Sequence, residues 1–264
     1  MKIRGRILGA AMALVLVLSA ASYAADGKKI VVGVSPVPHA GIMKVAGALL
    51  EKEGYTVEIQ EFFDYVLPNI ALGDGSLDAN FVQHVPYLND QILAMNYAFT
   101  WLARVHVERM GLYSRNAVSV AQLPHGAVVA LPAAPSDWTR ALRLLDEAGL
   151  IKVRNRPHLA LTDITENPRN LMIVALNAQQ LPSTLRETAA AVINANVAIQ
   201  AGMNPLRNAL FLEEASSSYA NVLVVRKADA DRPALRALAG ALNSPEVRSY
   251  IETQLSSLGI VPAF

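Results

Sequence analysis

The chain has 264 residues, a formal net charge of +1 and no cysteine. Without cysteine it can form no disulfide and use no catalytic thiol, and a chain of this length buries enough surface to fold without such cross-links. The nearly neutral charge argues against a nucleic acid as the partner.

The N-terminus has the pattern of a secretory signal peptide. Lys2, Arg4 and Arg6 precede an uncharged run at 7–21, and Ser22-Tyr23-Ala24 then has small residues at the two positions that signal peptidase reads, which suits cleavage after Ala24. A membrane anchor is the alternative, but the run is shorter than the ~20 apolar residues that span a bilayer. Cleavage removes three cations and no acid, so the formal charge falls to −2. We expect a soluble periplasmic protein, exported by this peptide and without a lipid anchor.

The first mature segment reads as strand, helix, strand. Lys29–Ser35 is a β-branched run, and apolar residues then recur at helical spacing from Ile42 to Leu50 until Gly54 ends the helix. Thr56–Glu61 alternates between apolar and polar residues, as a strand does. Such a βαβ unit predicts a parallel sheet.

The middle of the chain repeats this organisation. Ala127–Leu131 predicts a buried strand, and Ser136 is the expected N-cap of a helix that Gly149 ends. Met172–Leu176 and Ala190–Asn194 predict two more strands.

The chain ends with a strand at Ala220–Arg226 and two helices, the second of which begins at Ser244-Pro245. About 240 mature residues could form one large domain or two smaller ones, and the repeated pattern favours two α/β lobes. A pocket between two such lobes is the usual place for a ligand.

No enzyme motif is present. The chain lacks a phosphate-binding loop, a dinucleotide-binding glycine motif and a nucleophile elbow. Its histidines show none of the spacings of metal ligands, so each is more simply a surface or structural residue; they are His39, His84, His106, His125 and His158. We therefore expect no catalytic residue, no bound metal and no cofactor.

Polar residues near the predicted strand ends suit a small ligand. Arg140 lies one turn into a helix, where its guanidinium could hold a carboxylate, although an exposed ion pair with Asp137 is an equal alternative. Asn194 and Asn221 stand in or beside strands, where asparagine is unfavourable unless its amide is used. An exposed asparagine at a strand end remains the common case.

Nine blocks spread over the mature chain resemble the NlpA/MetQ family of substrate-binding proteins for methionine ABC importers. They are SPVPHAGIMK (35–44), FFDYVLPNIAL (62–72), DANFVQHVPYL (78–88), HVERMGLYS (106–114), the helix of Arg140, ENPRNLMIV (166–174), QLPSTL (180–185), AVINANVA (191–198) and SSYANVLVVR (217–226). The resemblance implies a two-lobed periplasmic-binding-protein fold that closes on methionine or a related small molecule.

The resemblance also implies which residues bind the ligand: Tyr65, Phe81, Val82, His84, Arg140, Asn194, Asn196 and Asn221. Arg140 would hold the ligand carboxylate, and Asn194 and Asn221 would bind the α-amino and carboxylate end through their amides. Tyr65 and His84 would line the side-chain pocket. This division suits a zwitterion with a thioether side chain.

The chain departs from the family pattern at three positions. Val82 and Val197 stand where the family usually has aromatic residues, and Arg109 stands where it usually has proline. Phe81 cannot replace the lost ring, because neighbouring residues of a strand point to opposite faces. We expect a roomier pocket with relaxed or shifted side-chain selectivity.

The resulting interpretation is a non-catalytic, monomeric periplasmic binding protein that delivers L- or D-methionine or a related apolar amino acid to an ABC permease and its ATPase. Residues 25–112 and 220–264 would form the first lobe and 113–219 the second, with hinges near Tyr113 and Tyr219. An exported hydrolase-like enzyme that uses His84 as a base is one alternative. A two-lobed sensor that is not coupled to transport is the other.

Overall fold

The computed structural model describes residues 28–214 and 218–264. The predicted signal peptide lies outside this part of the chain. Within the described residues, no helix is long and apolar enough to cross a membrane.

Strands and helices alternate through most of the described chain. The strands are β1 (Lys29–Val34), β2 (Thr56–Glu61), β3 (Ala79–His84), β4 (Phe99–Glu108), β5 (Gly111–Tyr113), β6 (Val128–Pro132), β7 (Lys152–Val153), β8 (Ile164–Glu166), β9 (Met172–Leu176), β10 (Ala190–Ile193), β11 (Phe211–Leu212), β12 (Ala220–Arg226) and β13 (Ile260–Pro262). The α-helices are α1 (Gly41–Lys52), α2 (Leu67–Asp74), α3 (Val85–Met95), α4 (Pro135–Glu147), α5 (Leu181–Thr184), α6 (Ala195–Gln200), α7 (Pro205–Asn208), α8 (Pro233–Leu242) and α9 (Pro245–Tyr250).

The first sheet has the order β13-β4-β12-β3-β1-β2. β1 pairs in parallel with both β2 and β3, as the βαβ pattern predicts. β12 runs antiparallel to its neighbours β3 and β4, so the sheet is mixed. The apolar face of α1 packs in the core of this sheet through buried Ile42, Met43, Ala46 and Leu50.

The second sheet has the order β11-β5-β10-β6-β9. Its central strands β6 and β10 are parallel and almost entirely buried. The helix α4 packs against it through buried Ala141, Leu142, Leu144 and Leu145. Each sheet therefore has its own hydrophobic core, as a two-lobed protein requires.

The chain passes between the two sheets twice. It leaves β4 at Glu108 and enters β5 at Gly111, and it returns between Leu212 of β11 and Ala220 of β12. The predicted lobe boundary after Leu112 falls inside β5, whose pairing with β10 joins it to the second sheet. The predicted hinge at Tyr219 directly precedes β12. The division into lobes remains a prediction, and the sheet pairing favours a boundary at 109–110.

The predicted N-cap of α4 is wrong. The helix begins at Pro135 after Ala134, and Ser136 is buried within its first turn. Proline fixes a helical φ and has no N–H to lose at the first turn, so the helix begins at proline instead of at the hydroxyl. The predicted start of α9 at Ser244-Pro245 is confirmed, and Ser244 caps the helix, because its side chain accepts a hydrogen bond from the Val247 N–H.

Candidate ligand-binding site

A narrow pocket lies between the two sheets. It is lined by His39, Tyr65, Val82, Gln83, His84, Tyr87, Glu108, Asp137, Arg140, Asn194, Ala195, Asn196 and Asn221. Seven of the eight residues predicted from the sequence are in this set. The exception is Phe81.

The segment DANFVQHVPYL forms one wall of the pocket. β3 is buried along its whole length. Val82 and His84 line the pocket, whereas Phe81 is fully buried in the hydrophobic core of the first sheet. Phe81 meets the rings of His39 and His106 edge-on, at 4.6 and 5.3 Å between centroids. The alternation of a strand explains why Phe81 supports the pocket from behind instead of lining it.

His84 joins this wall to the second sheet. The backbone N–H of Tyr87 donates to His84 Nδ1 at 3.1 Å, so the ring proton lies on Nε2, which donates to Asp137 Oδ1 at 2.8 Å. Burial alone would raise the pKa of the Asp137 carboxyl, but His84, Arg140 and a hydrogen bond from Asn194 outweigh it and lower this pKa. Asp137 is therefore ionised, and it holds β3 against α4.

Tyr65 makes a second bridge. Its hydroxyl donates to Asn196 Oδ1 at 2.7 Å, which links the loop after β2 to α6. Burial and the nearby Asp137 raise the pKa of Tyr65 well above its usual value, so the hydroxyl keeps its proton. The rings of Tyr65 and Tyr87 lie 5.9 Å apart and supply the aromatic surface of the pocket.

Arg140 is buried, and part of its guanidinium is already engaged. Nε and Nη2 donate to the carboxylate of Glu213 at 2.5–3.2 Å, and Nη2 also donates to the Glu108 carbonyl at 2.6 Å. The ring of Tyr219 lies 4.3 Å from the guanidinium carbon. Burial acts to lower the pKa of Arg140, but Glu213 outweighs it and raises this pKa. The fork that the sequence assigns to a ligand carboxylate thus faces Glu213.

Glu213 is itself fixed in place. Arg109 Nε donates to its main-chain carbonyl, and the Met110 N–H donates to its side chain at 3.2 Å. Arg109, one of the departures from the family pattern, therefore supports the partner of Arg140.

Glu108, His39 and His106 form a buried cluster on the floor of the pocket. His106 Nε2 lies 2.8 Å and His39 Nε2 3.4 Å from Glu108 Oε1, and the Asn196 N–H donates to Oε2 at 2.9 Å. Burial would raise the pKa of the Glu108 carboxyl, but these partners lower it below its usual value. Burial lowers the pKa of His39 to about 4, so this ring is neutral at pH 7.

The two asparagines named by the sequence differ in their partners. Asn221 Oδ1 lies 3.3 Å from His39 Nε2. Asn194 directly follows β10 at the start of α6, and its side chain donates to Asp137. Its Oδ1 is buried without a hydrogen-bond partner among the described residues.

The sequence did not identify Tyr87, Glu108 or Glu213 as parts of the site. Tyr87 and Glu108 stand inside two of the blocks that carry the resemblance, so the block positions were a usable signal for them. Glu213 lies 73 residues from Arg140 in the chain. Only the fold brings these two together.

The cluster on the pocket floor has the donor types of a metal site. One atom each of His39, His106 and Glu108 lie within 4.8 Å of one another. A metal would have to be bound through Nε2 of each ring, which would place the ring proton on Nδ1. The Nδ1 atom of His106 is buried without a hydrogen-bond partner among the described residues, whereas metal-ligating histidines almost always donate from the other nitrogen. The cluster therefore fits a hydrogen-bonded carboxylate better than a metal centre.

Comparison with known proteins identifies the family. The family model described as NlpA lipoprotein matches residues 30–264. The chain belongs to the NlpA lipoprotein family. A relative named "Probable D-methionine-binding lipoprotein MetQ" from Vibrio cholerae is 36% identical over 243 residues, which cover 91% of this chain and 90% of the relative.

Solved structures of similar proteins have the same fold. A nutrient binding protein from Burkholderia cenocepacia, bound to methionine, is 39% identical with a TM-score of 0.85, and the match covers 89% of this chain and all of that one. A periplasmic substrate-binding protein of an ABC transporter from Coxiella burnetii is 42% identical with a TM-score of 0.84 and the same coverage. The predicted family and the periplasmic-binding-protein fold are confirmed. These relatives are named as binding proteins and not as enzymes.

Of the two positions where the family usually has an aromatic residue, only one lines the pocket. Val82 lines it, whereas Val197 is buried in a core cluster beside β10 and is not among the lining residues. The expected change in selectivity therefore depends mainly on Val82.

Proposed function

We propose that this protein binds methionine, in the L or D form, or a related apolar amino acid, and delivers it to an ABC permease. The observation that carries the proposal is the pocket between the two sheets, in which charged and amide groups lie beside aromatic and apolar side chains. A free amino acid needs both halves, since its zwitterionic end must find charged partners when it leaves water.

Three contacts support an orientation for the ligand. The carboxylate lies at Arg140, where Glu213 holds Nε and Nη2, so Nη1 is the group that would donate to the ligand. The α-amino end lies toward Asn194 and Asn221. The side chain lies among Tyr65, Val82, His84 and Tyr87, and a thioether packs well against aromatic rings. Asn196 positions Tyr65 through its hydrogen bond.

Closure of the lobes follows from the bridges across the pocket. The His84–Asp137 and Tyr65–Asn196 contacts each join the two sides of the pocket, so they form only when these sides are close together. A ligand that contacts both sides would favour the same closed state. The permease would recognise that state. A signal peptide, periplasmic location, monomeric state and absence of a lipid anchor are parts of the same proposal, as is the absence of enzymatic activity.

Isothermal titration calorimetry with L-methionine, D-methionine, leucine and a methionine dipeptide tests the proposal. We expect one molecule of methionine to bind per chain, and the same amino acid to appear in mass spectra of the natively purified protein. A folded protein that gives no binding heat with any of these ligands would refute the proposal.

Arg140→Ala is the informative variant, and Arg143→Ala is its matched control. Arg143 lies one turn later on α4, is exposed, and donates to main-chain carbonyls of residues 156 and 157. We expect Arg140→Ala to abolish methionine binding and Arg143→Ala to leave it unchanged. Equal affinities of the two variants would mean that the carboxylate is held elsewhere.

A further inference from the structure

Glu108 is a buried carboxylate with no formal positive charge bound to it. It is 6% exposed, and its ion pairs among the described residues are with His39 and His106. Asp137, the other carboxylate of the pocket, has Arg140 among the groups that stabilise its charge, whereas no arginine or lysine is among those that stabilise Glu108. A buried charge without a counter-charge is unfavourable.

The two histidines do not supply that counter-charge. Each ring directs Nε2 toward Glu108. Burial lowers the pKa of His39 to about 4, so that ring is neutral, and the Nδ1 atom of His106 is buried without a partner among the described residues. A protonated His106 ring would bury an unpaired N–H at Nδ1, which is costly, whereas a neutral ring leaves only an unused lone pair there. Neutral rings that donate from Nε2 satisfy every hydrogen, so the carboxylate keeps its negative charge.

Glu108 retains room for one more donor. Its Oε1 pairs with His106 Nε2 and its Oε2 receives the Asn196 N–H, while the single Nε2 hydrogen of a neutral His39 has Asn221 Oδ1 as its hydrogen-bond partner. A carboxylate has about four acceptor positions, so a position on Oε2 remains open. Asn194, two residues before Asn196, carries a second unused acceptor, because its Nδ2 is held by Asp137 while its buried Oδ1 has no partner among the described residues.

We propose that Glu108 binds the α-ammonium group of the ligand, with Asn194 Oδ1 as a second acceptor. The inference rests on the proposed function and refines it, since the resemblance assigns this end to the amides of Asn194 and Asn221 alone. An ammonium brings both the positive charge that Glu108 lacks and the hydrogens that the two acceptors need. Glu108 then selects ligands that carry an amine.

The test compares L-methionine with 4-(methylsulfanyl)butanoate, the same molecule without its amino group, in the full chain. Calorimetry is carried out on the wild type and on Glu108→Gln, Asn194→Ala and Asp137→Asn. We expect Glu108→Gln to weaken methionine binding by about 30-fold or more, as the loss of a buried charged partner does. The analogue carries only a negative charge, so the same variant should bind it as tightly as the wild type does or more tightly.

Asn194→Ala should also weaken methionine more than the analogue, and it tests the inference even if Glu108→Gln does not fold. Asp137→Asn should affect both ligands by similar factors. The assignment would be overturned if Glu108→Gln weakened the affinity for methionine and for the analogue by similar factors. It would also be overturned if only Asp137→Asn changed the preference for methionine over the analogue. Neither result would contradict the proposed function, that the wild type binds methionine. A wild type that binds neither ligand would refute the proposed function itself.

A metal on the same floor makes a different prediction. If EDTA removed methionine binding and Zn²⁺ restored it, Glu108 would be a metal ligand and the assignment would be wrong. We expect methionine affinity to be the same with and without EDTA.

Discussion

Replacement of His39 by glutamine should make the free energy of unfolding less dependent on pH between pH 7 and pH 4. The ring is 1% exposed and faces Glu108, Asn221 and His106, and burial lowers its pKa from 6.5 to about 4. Below pH 6.5 the unfolded chain takes up a proton that the folded chain does not take up until about pH 4. The free energy of unfolding therefore falls as the pH is lowered through this window.

The difference between the pKa of His39 in the unfolded chain, 6.5, and in the folded chain, about 4, corresponds to about 3 kcal/mol of unfolding free energy. This free energy is lost between pH 7 and pH 4, at about 1.4 kcal/mol for each pH unit. Glutamine can still donate one N–H toward Glu108 or Asn221, but it does not titrate. Urea unfolding at pH 7, 5.5 and 4 measures the slope, and the exposed His158, replaced in the same way, is the matched control. A slope in His39→Gln equal to that of the wild type would show that this ring is protonated in the folded protein.

Three further changes test other parts of the pocket. Val82→Phe should restore an aromatic wall and tighten methionine by about 2- to 10-fold relative to leucine, the usual strength of a sulfur–ring contact; calorimetry showing an equal change for both ligands would contradict this. Arg140→Lys keeps the charge but loses the planar guanidinium that can hold Glu213 and the ligand carboxylate at the same time, so methionine affinity should fall by about 30-fold or more, and an unchanged affinity would exclude a role for the guanidinium geometry. Tyr65→Phe removes the donor to Asn196 and leaves a buried acceptor unpaired. The unpaired acceptor should cost about 1–3 kcal/mol, which calorimetry should show as weaker ligand binding. An unchanged affinity would mean that this bridge has no part in closure.

Much of the fold followed from the periodicity of the sequence. The strand at Thr56–Glu61 and the strand at Ala220–Arg226 have the predicted bounds, because alternating or continuously apolar runs bounded by polar residues identify strands well. The start of α4 was misplaced by two residues, since a serine and a proline next to each other both suit a helix N-terminus and the local pattern does not rank them.

The site was less accessible to sequence reasoning than the fold. The resemblance named seven residues that line the pocket, but it could not show that the fork of Arg140 is taken by Glu213. That contact joins residues far apart in the chain, and its strength depends on burial, which sequence spacing does not report. The same is true of Glu108, whose role depends on the neutral tautomers of His39 and His106.

The arrangement of the pocket separates two kinds of selectivity. The end of the pocket near Glu108, Arg140 and Asn194 consists of buried charges and an unpaired acceptor, where a ligand that lacks one group leaves a partner unsatisfied at a cost of about 2–5 kcal/mol. The end near Val82 and Tyr87 is apolar and aromatic, where one methylene more or less is worth only about 1–3 kcal/mol. The protein should therefore require a free amino acid strictly and discriminate among apolar side chains only weakly. Because valine replaces a ring at position 82, that weaker discrimination is the property in which this chain should differ most from its relatives.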